Sequence, residues 1–286
     1  MPYPLTSGST RCSVVPSLGR TLVLKLGGSL ITDKKIPYSM RNDTVKTASK
    51  EIKECLDRKL VDQMVIVHGV GSYGHPPVIE HQLYKGFIDP LQLMPISRTQ
   101  SKVNQLREVL CTNLQDAGIP VNLFHTSSIA SAKQGRIISM HLEAVKGFMK
   151  VGMVPMLGGD MVQDSVMGFC VGSGDQVATI LTKELHATDL VFATDVPGVY
   201  DSDPKANPEA KLIEELSLAD LKHLSAGDSK LDASGAMHGK LTNLEGIREE
   251  LRDGLRTSII SMLEPGRLSR LLAGEAVEST PDPTLK

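Results

Sequence analysis

Two groups of residues in this chain have the types and spacing to hold an anion, and two more, rich in small residues, lead into helices. Lys25 nearly ends an apolar run, Thr21–Leu26, and Gly27-Gly28-Ser29 follows directly. A second apolar run, Met64–Val67, leads into His68-Gly69-Val70-Gly71-Ser72-Tyr73-Gly74-His75, after which Pro76 and Pro77 are expected to turn the chain. Glycines lack a Cβ, so backbone N–H groups in such loops can approach and wrap an anion, and a helix starting there adds free N–H groups and its dipole. His75 is a side chain that can donate to a phosphate and titrates near neutral pH. The third group, Ser173-Gly174-Asp175, opens a helical pattern that Asp175 could cap. The fourth is a small-residue loop, Asp232–Gly239, that ends at Lys240. Lys25 beside two glycines and a serine reads as a phosphate ligand ahead of a strand-end lysine reaching for water.

Two familiar phosphate-binding patterns are excluded. Gly69, Gly71 and Gly74 spell G-x-G-x-x-G, but residues 84–96 hold two prolines and no strand-like run to complete a dinucleotide-binding βαβ unit. The spacing G-x-x-x-x-G-K-[ST] is absent. Among 286 residues the net charge is −2, and aromatic residues make up 3% with no Trp, which argues against nucleic-acid and membrane-surface partners. No apolar run approaches the roughly 18 residues that span a bilayer. Cys12, Cys55, Cys111 and Cys170 are widely spaced, as free thiols in a reducing, cytoplasmic compartment would be.

The elements that must carry these groups alternate. Strand patterns at Thr21–Leu26, Met64–Val67, Val121–Phe124, Met153–Leu157, Leu190–Ala193 and Thr257–Met262 are interleaved with helical patterns. The helices run from a cap at Asn42 or Asp43 to Lys59, then Ser97–Leu114, Glu143–Lys150, Gln176–Leu185, Lys240–Arg252 and Arg267–Leu272. A hairpin is expected over Val162–Cys170 around Asp164-Ser165. Alternation of this kind predicts an α/β fold, a three-layer αβα sandwich with a mostly parallel central sheet, with the glycine loops along its carboxyl edge. Residues 1–20 read as a disordered tail, 21–157 as an N-terminal lobe, 158–275 as a C-terminal lobe and 276–286 as a second tail. The apolar stretch between Val78 and Ile96 is expected to pack, part of it lining a pocket beside His75.

Six motifs in order carry a resemblance: Lys25–Ser29, His68–His75, Gly159-Asp160, Ser173–Gln176, Thr194–Tyr200 and Asp232–Lys240. Together they resemble the amino acid kinase superfamily, and within it most of all the isopentenyl phosphate kinase branch, over roughly residues 21–262. The pairing of Lys34 with the terminal His75 is the more specific marker, one shared by the fosfomycin kinase branch. Val70 stands where the family has Gly or Ala, Tyr73 where Phe is commoner, and Ala236 where Gly is usual.

The resemblance implies ATP-dependent phosphorylation of isopentenyl phosphate, or a close isoprenyl monophosphate, to the diphosphate. It implies Lys25 and Lys240 on the ATP phosphates, Lys34 on the transfer path, Asp175 orienting the lysines and His75 donating to the accepting phosphate. Val70, Gly71, Gly158 and Gly159 would bound the acceptor. Gly27, Gly28, Ser29, Gly71, Asp175, Thr194, Asp195, Gly198, Tyr200, Gly235 and Ala236 would complete the nucleotide site. Mg²⁺ is expected with ATP, with no protein ligands identifiable, and a homodimer is implied. The alternatives are a phosphonate kinase of the fosfomycin type, a carboxylate kinase, and a non-catalytic nucleotide-binding or storage protein on the same fold.

Overall fold

In the computed structural model, residues 19–33, 35–201, 207, 209–213 and 242–280 are described. Strands β1 (Thr21–Leu26), β2 (Gln63–His68), β3 (Val121–Leu123), β6 (Val154–Gly158), β9 (Asp189–Thr194), β10 (Arg256–Ser261) and β11 (Ser279–Thr280) form one seven-stranded sheet in the order β11-β10-β9-β1-β2-β6-β3. Every pairing is parallel except β10 with β11. β1 lies at the centre, paired with β2 on one side and β9 on the other, so the chain leaves it in one direction and returns from the other. Such a reversal opens a crevice at the carboxyl ends of the strands. The ends are in register there, with Leu26 opposite both His68 and Ala193, and His68 opposite Gly158.

The pleat sends alternate side chains to opposite faces. Leu22, Leu24 and Leu26 of β1, with Met64 and Ile66 of β2, join one apolar core with helices α2 (Asn42–Asp57) and α4 (Leu93–Asp116). Val23, Val65, Val67 and Phe192 join the other, with α6 (Glu143–Lys150) and α7 (Gly174–Glu184). Helix α2 exists because Val45, Ala48, Ile52 and Cys55 fall on one face and are buried together. It starts at Asn42 with Arg41 in the cap position, one residue ahead of the cap expected from sequence, and Asp43 lies in its first turn. Cys55 and Cys170 are buried free thiols, and burial lifts them to about 12 and about 11, so they are inert at neutral pH. A smaller sheet of order β5-β4-β7-β8 is built from β4 (Ala130–Lys133), β5 (Arg136–Met140), β7 (Asp160–Asp164) and β8 (Gly168–Gly172). The expected hairpin is β7–β8; its partner β4–β5 is too short and too polar to have stood out in the sequence. Burial pushes the Asp164 carboxyl up, but four N–H groups, from Gln134, Gly135, Val166 and Met167, hold it down at about 2 and tie the two hairpin turns together.

One expectation is corrected by helix α3 (Gly71–Glu80). Pro76 and Pro77 do not turn the chain; both lie inside this helix. Pro76 has no N–H for the carbonyl of Ser72, four residues earlier. That carbonyl instead accepts from the backbone N–H of Tyr38 at 3.2 Å. The Ser72 hydroxyl adds contacts with Ser39, accepting from its N–H and donating to its carbonyl. The proline thus docks the segment after Asp33 onto the first turn of α3. A Pro76→Ala variant, which restores a competing N–H, should lose hydrogen-exchange protection at the Tyr38 amide while global stability changes by about 1 kcal/mol or less. Unchanged protection at Tyr38 would show that the freed carbonyl is not what holds the segment.

Candidate active site

The two glycine turns predicted to hold an anion, those after β1 and β2, meet at the carboxyl edge of the sheet. The turn after β1 continues into a single helical turn, α1 (Gly28–Ile31), and packs directly on the turn that opens α3. A Cβ on Gly28 would stand 2.7 Å from the Gly71 nitrogen, and one on Gly69 2.6 Å from the Gly28 nitrogen. Only glycine lets the two backbones come this close, and Gly71 also needs its positive φ of 45°. The Gly69 amide donates to Leu26 and the Ser72 amide to the Thr32 hydroxyl, at 2.8 and 3.0 Å, so the two turns are also hydrogen-bonded to the β1 segment.

Strand alternation places Lys25 on the face with Val23, the face that α7 covers. Its side chain is 4% exposed, and its Nζ meets Asp175 Oδ1 at 2.6 Å. Asp175 sits in the first turn of α7; the cap is Ser173, whose hydroxyl accepts from the Gln176 N–H at 3.1 Å. The cap thus comes from Ser173, and Asp175 is aimed at the lysine. Gly174 packs against the end of β2, and Gly159 packs beside Gly174, which brings the start of α7 and the β6–β7 corner to the same place. Ser29 and Thr194 close the other side, their hydroxyls 3.4 Å apart. Gly198 is buried, and Asp195 and Tyr200 are half-buried in the segment after β9.

His75 lies one helical turn beyond Gly71 on α3 and is exposed. Val78, three residues further and on the same side of the helix, packs against a small apolar cluster of Leu83, Met161 and Phe169. Farther along the 78–96 stretch, Ile79, Phe87, Ile88, Leu91, Leu93 and Met94 are exposed rather than packed. Val70 does not project freely: its two methyl groups fill the space over Gly74 and Gly159, where added Cβ atoms would stand 2.5 and 3.1 Å from them. Lys34, Gly235, Ala236 and Lys240 lie outside the described residues. Among the described residues no three His, Cys, Asp or Glu side chains come together as a metal site, and no helix is long and apolar enough to cross a membrane.

Behind these loops is a polar cluster that the sequence reading passed over. Arg107 of α4 is 1% exposed. Its Nε donates to His68 Nε2 at 3.2 Å, and its Nη2 donates to the Gly159 carbonyl and to Asp160 at 2.9 and 2.8 Å. Its Nη1 contacts Asn104 and His125 at 2.7 and 3.1 Å. Arginine only donates, so His68 Nε2 must be the acceptor and Nδ1 carries the proton, which goes to the Gly69 carbonyl at 3.0 Å. Burial first, and then the Arg107 charge, push His68 down to about 3. The available signal was position: Arg107 falls four residues after Val103 and three before Leu110, on the apolar stripe of its helix.

A model of the Amino acid kinase family matches residues 20–253. This chain belongs to the amino acid kinase family. It is 33% identical to the isopentenyl phosphate kinase of Methanothermobacter thermautotrophicus, over 91% of this chain and 97% of that protein. It is 29% identical to the isopentenyl phosphate kinase of Methanocaldococcus jannaschii, over 77% of this chain and 84% of that one. A solved isopentenyl phosphate kinase structure superposes with a TM-score of 0.79 at 30% identity, covering 92% of this chain and 99% of the other. The α/β fold and the kinase motifs expected from sequence agree with these findings.

The neutral His68 gives this family member a pH signature. Its folded value lies below the unfolded value of about 6.5, so the stability it contributes is complete above that pH and is lost as pH falls toward 3. Relative to a His68→Gln variant, the wild type should lose roughly 2 kcal/mol of unfolding free energy between pH 7 and pH 5, read from urea melts. Parallel pH profiles for the two proteins would mean that His68 takes up a proton in the fold as readily as in the unfolded chain.

Proposed function

We propose that this chain is a kinase that transfers the γ-phosphoryl group of ATP to isopentenyl phosphate, or to a close isoprenyl monophosphate, giving ADP and the diphosphate. One observation carries the reading: the buried Lys25–Asp175 ion pair meets two interlocked glycine turns at the strand ends, with His75 one helical turn away. The isopentenyl phosphate kinases among its relatives supply the substrate, and the apolar cluster beside Val78 is suited to a hydrocarbon tail.

A phosphate monoester has a second pKa near 6, so the accepting oxygen is already ionised at pH 7 and needs no general base. That oxygen bonds to the γ-phosphorus in line with the oxygen that bridges to the β-phosphate. The bridging bond breaks and ADP leaves. The obstacle is repulsion between two polyanions, and such transfer is governed by positioning and charge compensation. In this reading Lys25 and Lys240 hold the ATP phosphates and Lys34 lies on the transfer path. Asp175 keeps the Lys25 ammonium from wandering.

His75 donates to the acceptor, together with the amides of Val70 and Gly71, and Gly158 and Gly159 bound it. Gly27, Gly28, Ser29, Thr194, Asp195, Gly198, Tyr200, Gly235 and Ala236 form the nucleotide site. Most of the acceptor site thus falls in residues 21–157, with Gly158 and Gly159 just beyond it, and most of the nucleotide site in 158–275, with the end of β1 serving both. Mg²⁺ bound with the nucleotide would be held by phosphate and water oxygens and would supply further charge compensation. The buried thiols suit a cytoplasmic enzyme, and the exposed apolar residues between Phe87 and Met94 give a homodimer surface to cover.

An ADP-release assay with ATP–Mg²⁺ tests the substrate directly. Isopentenyl and dimethylallyl phosphate should be turned over in preference to geranyl phosphate, fosfomycin and N-acetylglutamate. Turnover of fosfomycin equal to that of the five-carbon monophosphates would sink the assignment. His75→Ala should lower kcat by about 100-fold and weaken the acceptor, leaving ATP affinity intact. Loss of ATP affinity alone would put His75 at the wrong end of the transfer.

A further inference from the structure

We infer that Arg107 is a positioning residue for the acceptor half of the site: its guanidinium fixes the backbone of the β2 and β6 ends between which the accepting phosphate lies. The inference rests on the kinase reading above and adds to it a residue from none of the motifs. Arginine has five N–H donors. Here each has an acceptor of its own: His68, Asn104, His125, Gly159 and Asp160. One side chain thereby joins the end of β2, helix α4, the turn after β3, the end of β6 and the start of β7.

The backbone at Gly158 and Gly159 is held at every polar group for which a partner is seen. The Gly158 carbonyl accepts from the Thr126 hydroxyl at 2.7 Å, the Gly159 amide donates to the His68 carbonyl at 3.1 Å, and the Gly159 carbonyl accepts from Arg107 at 2.9 Å. The imidazole of His68, oriented by Arg107, lies flat against Gly158, where a Cβ would stand 2.2 Å from the ring. On its other side the same ring holds the carbonyl of Gly69, the first residue of the anion-binding turn, at 3.0 Å.

The contribution is geometric. Asp160 neutralises the guanidinium at 2.8 Å and is itself satisfied by the Ser127 hydroxyl and the Met161 amide. A neutral buried pair adds little field at the site, and a buried pair is seldom the most stable filling for a core. What it supplies is a planar fork with fixed directions, which a lysine ammonium with three donors cannot reproduce. The direction of the effect also follows. Arg107 reaches β2 and β6 from the α4 side of the sheet, whereas Lys25 and Asp175 meet on the α7 side, so none of its hydrogen bonds goes to the nucleotide half.

Arg107→Lys in the full-length chain keeps the charge beside Asp160 and removes the fork. Steady-state kinetics with isopentenyl phosphate and ATP–Mg²⁺ varied in turn should give an acceptor KM raised tenfold or more and a lowered kcat. The ATP KM, and the ATP Kd from calorimetry, should stay within twofold. Asn104→Ala, which removes a single partner at the rim, should raise the acceptor KM about threefold in the same one-sided way and serves if the lysine variant does not fold. Equal changes in both KM values, or none in either variant, would overturn the inference and leave Arg107 a packing residue. Wild-type silence on isopentenyl phosphate is a separate failure, that of the substrate reading; the same split is then read with whichever acceptor in the panel the wild type does phosphorylate.

Discussion

A lysine that is 4% exposed at the end of a central strand is the constraint on which this architecture turns. An ammonium there is tolerable only if an anion meets it. Asp175 does so from a residue 150 positions away in sequence, at the first turn of a helix packed on the far side of the strand. For that meeting, β1 must sit between β2 and β9, α7 must cover the face that carries Val23 and Lys25, and the cap of α7 must be supplied by another residue. Ser173 supplies it, which leaves Asp175 for the lysine. The ion pair is thus a condition on the order of the sheet as well as a feature of the site.

The alternation of the strands then divides the work between two faces. Odd-numbered positions of β1 deliver Lys25 to the α7 side, where charge is gathered. In β2 the same period delivers His68 to the α4 side, with Met64 and Ile66, where it meets Arg107. The two side chains leave strand ends that are adjacent in register, Lys25 and Leu26 opposite Val67 and His68. In the proposed reaction, one face compensates the charge of polyanions and the other fixes the backbone that receives one of them.

How much of this was legible follows from the range of each interaction. The strands, the helical stripes and the glycine turns are local patterns, and they were readable because period and Cβ-free backbone act within a few residues. Lys25 and Asp175 were visible as types beside glycines, and the resemblance implied that Asp175 orients the lysine, but the contact between them needed the fold. Arg107 was not readable as a site residue, because nothing within α4 except Asn104 touches its charged end. Its other four partners lie 18 to 53 positions away. The prolines misled for a related reason. Pro76 breaks a helix only if the orphaned carbonyl finds no donor, and the donor, Tyr38, comes from a segment that sequence proximity does not suggest.

Val70 shows why a departure from a motif has to be weighed in three dimensions. As a sequence feature it is expected to narrow the loop, since a branched side chain stands where the resemblance implies Gly or Ala. In the fold its methyl groups fill the space left by two glycines, Gly74 one helical turn on and Gly159 at the β6–β7 corner. Those glycines are the compensation: either one bearing a Cβ would collide with the valine or push it outward. The isopropyl group therefore acts as a wedge between α3 and β6, packed against the residue whose carbonyl Arg107 holds. The same two strand ends that the guanidinium ties by hydrogen bonds on the α4 side are thus also braced by van der Waals contact at the loop itself.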